Sequence, residues 1–334
     1  MIHLTLPGTE EGRQLSFYLA MEEYVARHLP PAEYLFTWVV DNTVIIGRNQ
    51  NLMTEVNTDY CKQAGIRIFR RKSGGGCVFA DRRNIMFSYI CDRTDVESTF
   101  ADYTALMAQM LRSLGVDAVP GGRNDVLIDG KKVSGNAFYS LPGRSIAHGT
   151  MLFGVNTAHI TNAITPDRSK LSAHAVQSVA SRITTLSRYT SMSQDEFRRY
   201  AISYLTDREL CLAPEMVRQI ELMEQQYHNP SWLYGRHAGR EYTHSFRREG
   251  MGSMTLDVTL KGDALHELTL SGDFFPLVSE PSAVLQQHLR GVRLEREHLE
   301  TAVEAAKPEL IIRGLDARAM TDALLNIKPI NQYH

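Results

Sequence analysis

The densest run of chemically capable residues is Arg70-Arg71-Lys72-Ser73-Gly74-Gly75-Gly76-Cys77-Val78-Phe79. Three adjacent glycines let backbone N–H groups approach an anion closely. Two arginines and a lysine just before them add positive charge, and Arg can fork onto phosphate oxygens. A bare Gly-Gly-Gly would read as a flexible surface hairpin. The cations on one side and the strand-forming Cys77–Phe79 on the other point to an anion cradle instead. The spacing is neither GxxxxGK[ST] nor GxGxxG, so neither a P-loop nor a Rossmann site is expected.

Three further segments carry polar groups at strand or loop positions. Gly122-Arg123-Asn124-Asp125 leads into Gly130-Lys131-Lys132-Val133-Ser134-Gly135-Asn136-Ala137. A lysine held on a strand beside a small-residue turn is a fixed point charge, although most lysines are simply exposed. Adjacent strand residues point to opposite faces, so only one of Lys131 and Lys132 can face a site. Ala147-His148-Gly149-Thr150 places a lone histidine on a strand, where packing is its commoner role. Gln177–Arg182 is small and polar and reads as a loop.

The elements that position these segments follow from periodicity. Gln14–His28 and Phe100–Leu114 have apolar residues at helical spacing. Tyr34–Val40, Thr43–Gly47, Ile66–Arg71, Ile85–Cys91, Asp125–Val133 and Ile146–Val155 read as strands. Asp129-Gly130 supplies the positive φ values of a type I′ hairpin turn. Ser193-Gln194-Asp195-Glu196 is a capping box opening a helix to about Cys211, and a second helix runs from Pro214 to Tyr227. Residues 235–252, rich in glycine and charge, read as a linker. A hairpin around Gly262-Asp263 and helices near Pro281–Leu289, Glu295–Ala306 and Ala317–Asn326 follow. The expected division is a catalytic domain over 1–245 and an α+β domain over 253–334.

The 334 residues suffice for two domains, and 43% hydrophobic with 22% charged residues is a globular composition. A net charge of −2 makes no case for a nucleic-acid or polybasic membrane partner. No apolar run reaches the roughly 18–20 residues of a membrane span. Met1-Ile2-His3-Leu4 has no basic segment before an apolar core, so no secretory leader is expected. Cys61, Cys77, Cys91 and Cys211 lack CxxC spacing, which argues against a disulfide scaffold or zinc ribbon and fits the cytoplasm.

Taken together, these segments resemble the lipoate–protein ligase A family along nearly the whole chain. The resemblance rests on Ile46-Gly47-Arg48-Asn49-Gln50-Asn51, Arg70–Phe79, Asp81 with Asn84, Asn124-Asp125, Lys132-Val133-Ser134-Gly135, His148-Gly149-Thr150, and Ser178 with Ser181-Arg182. Asn229-Pro230-Ser231-Trp232 through Gly235 and the C-terminal hairpin look like the long bacterial form with an accessory domain. The implied fold is α/β (α+β), with a mixed β-sheet catalytic domain like biotin synthetase and class II aminoacyl-tRNA synthetases, plus a small α+β C-terminal domain. Three positions depart from the family pattern. Arg83 replaces a usual glycine, Ala80 a common histidine, and Ala180 a frequent basic residue.

The resemblance implies that ATP activates lipoate to lipoyl-AMP and that the lipoyl group passes to a lysine of an apo-lipoyl domain. The partners would be the E2 subunits of 2-oxoacid dehydrogenases and glycine cleavage H protein. On this reading Lys132 is catalytic and also binds lipoate. ATP and lipoyl-adenylate would be held by Arg71, Ser73, Gly75, Gly76, Cys77, Val78, Phe79, Asn84, Asp125, Lys132 and His148, and Mg²⁺ by Asp125. Trp38, Val44, Ile46, Val78 and Val133 are candidate walls for the fatty tail. The alternatives are an octanoyl or lipoyl transferase on the same fold and a non-catalytic homologue that binds lipoyl domains. A transferase needs a cysteine thiolate. The two places where related transferases carry it read Asn124-Asp125 and Thr165-Pro166-Asp167, leaving Cys77, read as a packed small side chain.

Overall fold

The structure is a computed structural model that describes residues 1–8, 12–93, 95–122, 124–155, 157–164, 182–234 and 241–329. Ser178, Ser181, Ala180, Gly235 and the segment 165–167 lie outside the described residues. The chain divides into two units. The first comprises Met1–Ile46, Leu52–Lys72 and Cys77–Leu233, and the second Gly47–Asn51, Ser73–Gly76 and Tyr234–His334.

The first unit is built on a mixed eight-stranded sheet. Its strands are β1 (Ile2–Thr5), β2 (Tyr34–Trp38), β6 (Asn84–Cys91), β7 (Ala118–Gly121), β8 (Asp125–Ile128), β9 (Lys131–Leu141), β10 (Arg144–Leu152) and β11 (Arg208–Cys211). Their order is β11-β1-β2-β6-β10-β9-β8-β7. β1 runs parallel to β11 and β2, and the other pairs are antiparallel. The sheet is mixed, as the family resemblance implies. A three-stranded sheet, β4-β3-β5, adds β3 (Thr43–Ile46), β4 (Arg67–Arg70) and β5 (Val78–Ala80).

Helices cover the large sheet because each has an apolar stripe to bury. α1 (Leu15–His28) buries Leu15, Tyr18, Leu19 and Val25 in a core with Trp38, Met86, Ile90 and Ile146. α2 (Val96–Arg112) packs on β7, β8, β9 and β10. α3 (Gln194–Leu205) begins at the expected capping box, with Ser193 Oγ accepting from the Glu196 N–H. It ends at Leu205 rather than near Cys211, because Arg208–Cys211 leaves the helix to pair with β1. α4 (Pro214–Glu224) packs against α1 and brings Val217 and Ile220 into the same core.

The second unit has a four-stranded sheet, β14-β13-β12-β15, of β12 (Tyr242–Arg248), β13 (Gly252–Lys261), β14 (Ala264–Ser271) and β15 (Lys328–Pro329). α5 (Pro281–Leu289), α6 (Arg296–Ala306) and α7 (Ala317–Leu325) complete a separate core that includes Met254, Leu256, Leu285, Val303 and Leu324. β12 corrects the expectation of a linker over 235–252: Tyr242–Arg248 pairs residue for residue with Val258–Gly252. Among the described residues no helix is long and apolar enough to cross a membrane.

Candidate active site

Asp125 opens β8 and Lys132 lies near the start of β9, so a tight turn brings them together. Asp129 and Gly130 take φ values of +51° and +70°, the left-handed pair a type I′ turn requires. Lys132 Nζ lies 2.8 Å from Asp125 Oδ1. The pairing is not one to one. Val126 faces Ser134 but Leu127 faces Lys132, which leaves Val133 as the extra residue of a β-bulge. A bulge re-aims the side chains around it. The Lys132 ammonium lies over Gly135, where a Cβ would come 2.4 Å from Cε and 2.5 Å from Nζ. Its side chain keeps 33% exposure, enough to meet a ligand.

Asn124 and Asn136 lock this hairpin. Asn124 Nδ2 donates to the Asn136 carbonyl at 2.7 Å. The Asn136 N–H and Nδ2 both donate to the Asn124 carbonyl at 3.0 Å. Asn136 needs the next strand to be bare opposite it, since a Cβ at Gly149 would lie 1.8 Å from Asn136 Oδ1.

Register extends the site across the sheet. Asp125, Gly135, Thr150, Met86 and Trp38 form one row over β8, β9, β10, β6 and β2. Alternate positions share a face, so Asn84 and His148 face the same way as Lys132. His148 Nδ1 lies 2.9 and 3.0 Å from the carboxylate oxygens of the fully buried Glu22 on α1. Glu22 also accepts from Ser88 Oγ at 2.6 Å, and Ser88 Oγ accepts from Trp38 Nε1 at 2.9 Å. Sequence reasoning did not name Glu22. Its signal was an acid at helical spacing from the apolar stripe of Tyr18, Leu19 and Val25.

Asn84 is buried, and its Oδ1 has no partner among the described residues. It follows the turn in which Arg83 replaces glycine. Arg83 has an ordinary negative φ, and its guanidinium folds back on Asp81 Oδ2 at 2.8 and 3.0 Å. The turn therefore does not need glycine at this position.

On the three-stranded sheet, the cations before the glycines divide. Arg70 donates to the carbonyls of Trp232 and Leu233 at 2.7–3.0 Å. Burial, helped by neighbouring Arg71, brings it down to about 10. Lys72 pairs with Glu23 and with Gln226 Oε1 at 2.9 Å. Arg70 and Lys72 are thus committed to packing, which corrects the expectation of three cradle cations. Arg71 is buried, with Nη1 donating to the Ile45 carbonyl at 3.2 Å. Phe79 packs with Val44, Ile46 and Cys61, and Cys77 lies against that cluster. Trp38 and Val78 belong to the α1 core instead, so the five candidate tail walls do not line one slot. Burial pushes the Cys77 thiol up.

The glycine turn belongs to the second unit. Ser73 is fully buried, and its carbonyl accepts from the Arg48 N–H at 2.9 Å. Gly75 has φ +87°, and its N–H donates to the Phe274 carbonyl at 3.1 Å. A Cβ at Gly74 would lie 2.4 Å from that carbonyl, and one at Gly76 would lie 3.3 Å from Asp273 Oδ2. Sequence reasoning missed Asp273 and Phe274, since nothing local links them to residues 73–76.

The first unit is a mixed sheet presenting a lysine–carboxylate pair, and the second is a separate α+β body. Chains of this architecture include a P. falciparum LipL1 structure in complex with lipoate (TM-score 0.75, 15% identity, 97% of this chain and 99% of that one). A lipoate–protein ligase A structure bound with ATP aligns at TM-score 0.61 and 26% identity, over 70% of this chain and 98% of that one. A bipartite lipoate–protein ligase from Thermoplasma acidophilum, described with its E2 lipoyl domain, aligns at TM-score 0.64 and 28% identity, over 71% and 98%. Residues 14–206 match the family model of the lipoyl protein ligase A/B catalytic domain. The lipoate–protein ligase LplJ of Bacillus subtilis is 34% identical over 302 residues, 86% of this chain and 89% of that one. The chain belongs to the lipoate–protein ligases, a family of ligase enzymes.

Proposed function

We propose that the protein joins lipoate to a lysine of apo-lipoyl domains at the expense of ATP, through lipoyl-AMP. The observation that carries this reading is the part-exposed Lys132 ammonium, held by Asp125 over Gly135. A carboxylate cannot acylate an amine at neutral pH while hydroxide is its leaving group. In the first step the lipoate carboxylate attacks the α-phosphorus, and pyrophosphate leaves. Two anions must meet, so preorganised positive charge lowers this barrier most. Lys132 is assigned to both the carboxylate and the α-phosphate oxygens. In the second step the acceptor lysine amine attacks the carbonyl, loses a proton, and AMP leaves.

Arg71, Ser73 and the backbone from Gly75 through Cys77 and Val78 to Phe79 are assigned to the phosphates and the adenylate. The unpartnered Asn84 Oδ1 calls for a donor, which a nucleotide supplies. His148, anchored by Glu22, supports the same face. Among the described residues no group of three or more His, Cys, Asp or Glu side chains could hold a metal ion. Asp125 as a single carboxylate suits Mg²⁺, which binds by one or two carboxylates with phosphates and water. Bound there, Mg²⁺ would neutralise phosphate charge. We assign the chemistry to residues 1–245 and an accessory role to 253–334. The E2 lipoyl domain named with the Thermoplasma relative supports that class of acceptor, with glycine cleavage H protein as a second. ATP in a related structure and the lipoate named for the Bacillus subtilis relative support the two small substrates.

A thioester route through Cys77 runs against the burial that disfavours its thiolate. The deciding experiment incubates the protein with lipoate, Mg²⁺-ATP and an apo-lipoyl domain. One lipoyl mass should be added only when ATP is present. Transfer from an acyl-carrier-protein thioester without ATP would overturn the reading.

A further inference from the structure

The three-stranded sheet ends where Thr43 pairs with both Arg67 and Ala80. The turn before β3, the start of β4 and the turn after β5 meet there around an open recess of about 500 Å³. Arg67, Arg82 and Arg83 line it with Asp41 and Asp81. Arg82 Nε donates to Asp41 Oδ1 at 2.7 Å, and Arg83 is bound to Asp81. The Arg82 side chain remains 65% exposed. Arg67 is exposed, and among the described residues its guanidinium has no hydrogen-bond or ion-pair partner. Three arginines against two aspartates make a positive rim on a chain whose net charge is −2.

The rim is linked to the candidate site through β6. Asp81–Arg83 leads directly into Asn84, two residues before Met86 in the row that carries Gly135 beneath the Lys132 ammonium. Two strand residues span about 7 Å and two inter-strand steps about 9–10 Å, which puts Asn84 on the order of 12 Å from Gly135. Exposed arginines already facing aspartates make a poor pocket for a small anion, which needs convergent, desolvated donors. They suit a protein surface, where rim charges steer encounter and set orientation. The proposed reaction requires such a partner, because a lysine of a folded domain must reach the acyl group beside Lys132.

We propose that Arg67 and Arg82 form a docking rim for an acidic face of the domain that carries the acceptor lysine. This rests on the function proposed above for its choice of partner. The test compares wild type with Arg67→Glu, Arg82→Glu, the double variant and the double Lys replacement. Three quantities are measured: pyrophosphate release from ATP and lipoate without acceptor, the Kd for an apo-lipoyl domain at low and high salt, and the acceptor KM for transfer from preformed lipoyl-adenylate. The double Glu variant should weaken Kd and raise KM by about tenfold at low salt, with a flattened salt dependence. Pyrophosphate release should stay within twofold of wild type, and the Lys variant should bind acceptor as wild type does. An unchanged Kd and KM in the double Glu variant overturns the rim. So does an equal loss in pyrophosphate release, which would assign the recess to the nucleotide. Wild type that binds the domain in a rim-dependent way but releases no pyrophosphate supports the rim and defeats the ligase reading alone.

Discussion

Lys132 and Gly135 form one device, because the ammonium occupies the volume a Cβ at 135 would take. Lys132→Ala is expected to slow pyrophosphate release by roughly 10²–10³, the usual cost of removing one preorganised donor. Lys132→Arg should not rescue, since a planar fork cannot replace a compact ammonium between two oxygens. Lys131→Ala should stay near wild type, because Lys131 is exposed. Steady-state pyrophosphate release from the three variants checks the assignment, and a larger defect in Lys131→Ala would refute it. Gly135→Ala leaves every ionisable group in place yet pushes the ammonium aside. A misplacement of about 1 Å can cost on the order of 10²-fold, so kcat should fall while thermal stability changes little. A Gly135→Ala enzyme with wild-type kcat would show that the position over Gly135 is not the working one. Cys77→Ala should keep most activity in both half-reactions. A loss beyond about 10³-fold with the fold intact would instead indicate a covalent route.

At the scale of elements, α1 is tied to the segment before the glycine turn by Glu23. That carboxylate is nearly buried and binds Lys72 and, at 2.8 Å, Arg27. Burial alone would raise its pKa, but Lys72 and Arg27 together hold it below the ordinary carboxylate value. A depressed folded-state pKa contributes stability that is present above the unfolded-state value of about 4.5. That contribution is lost as pH falls through the lower folded-state value. Glu23→Gln should therefore destabilise the protein near pH 7 by about 2–3 kcal/mol, the scale of hydrogen bonds to charged groups. The difference from wild type should shrink on acidification below pH ~4. Denaturant midpoints at the two pH values measure it, and a pH-independent difference would place the effect in packing.

At the scale of the molecule, the two units have separate apolar cores, the first around α1 and β6 and the second around β13 and α6. A chain ending near residue 245 keeps every side chain assigned to the phosphates, lipoate and adenylate. It loses the Phe274 carbonyl that accepts from Gly75 and the Asp273 carboxylate beside Gly76. The truncated protein should fold and bind lipoyl-adenylate, with transfer to an acceptor impaired. Calorimetric titration with a non-hydrolysable lipoyl-adenylate analogue tests this. No binding in a folded truncation would show that 273–276 is needed to shape the glycine turn.

Much of this was legible in the chain. The Asp129-Gly130 turn, the Ser193 capping box and the helices over 15–28, 214–224 and 281–289 depend on residues a few positions apart, so local rules suffice. The same holds for the family pattern, whose motifs are contiguous and ordered. Tertiary structure decided what depends on register and on distant partners. Arg70 and Lys72 looked like cradle cations until Leu233 and Glu23 claimed them. Residues 208–211 continued a helix by periodicity, yet β1 offers a parallel partner some two hundred positions away. The bulge at Val133, the clearance of Gly149 for Asn136 and the carboxylate of Glu22 behind His148 arise from strands and a helix meeting face to face. Composition and spacing name the groups that can do chemistry, but only packing determines which remain available for it.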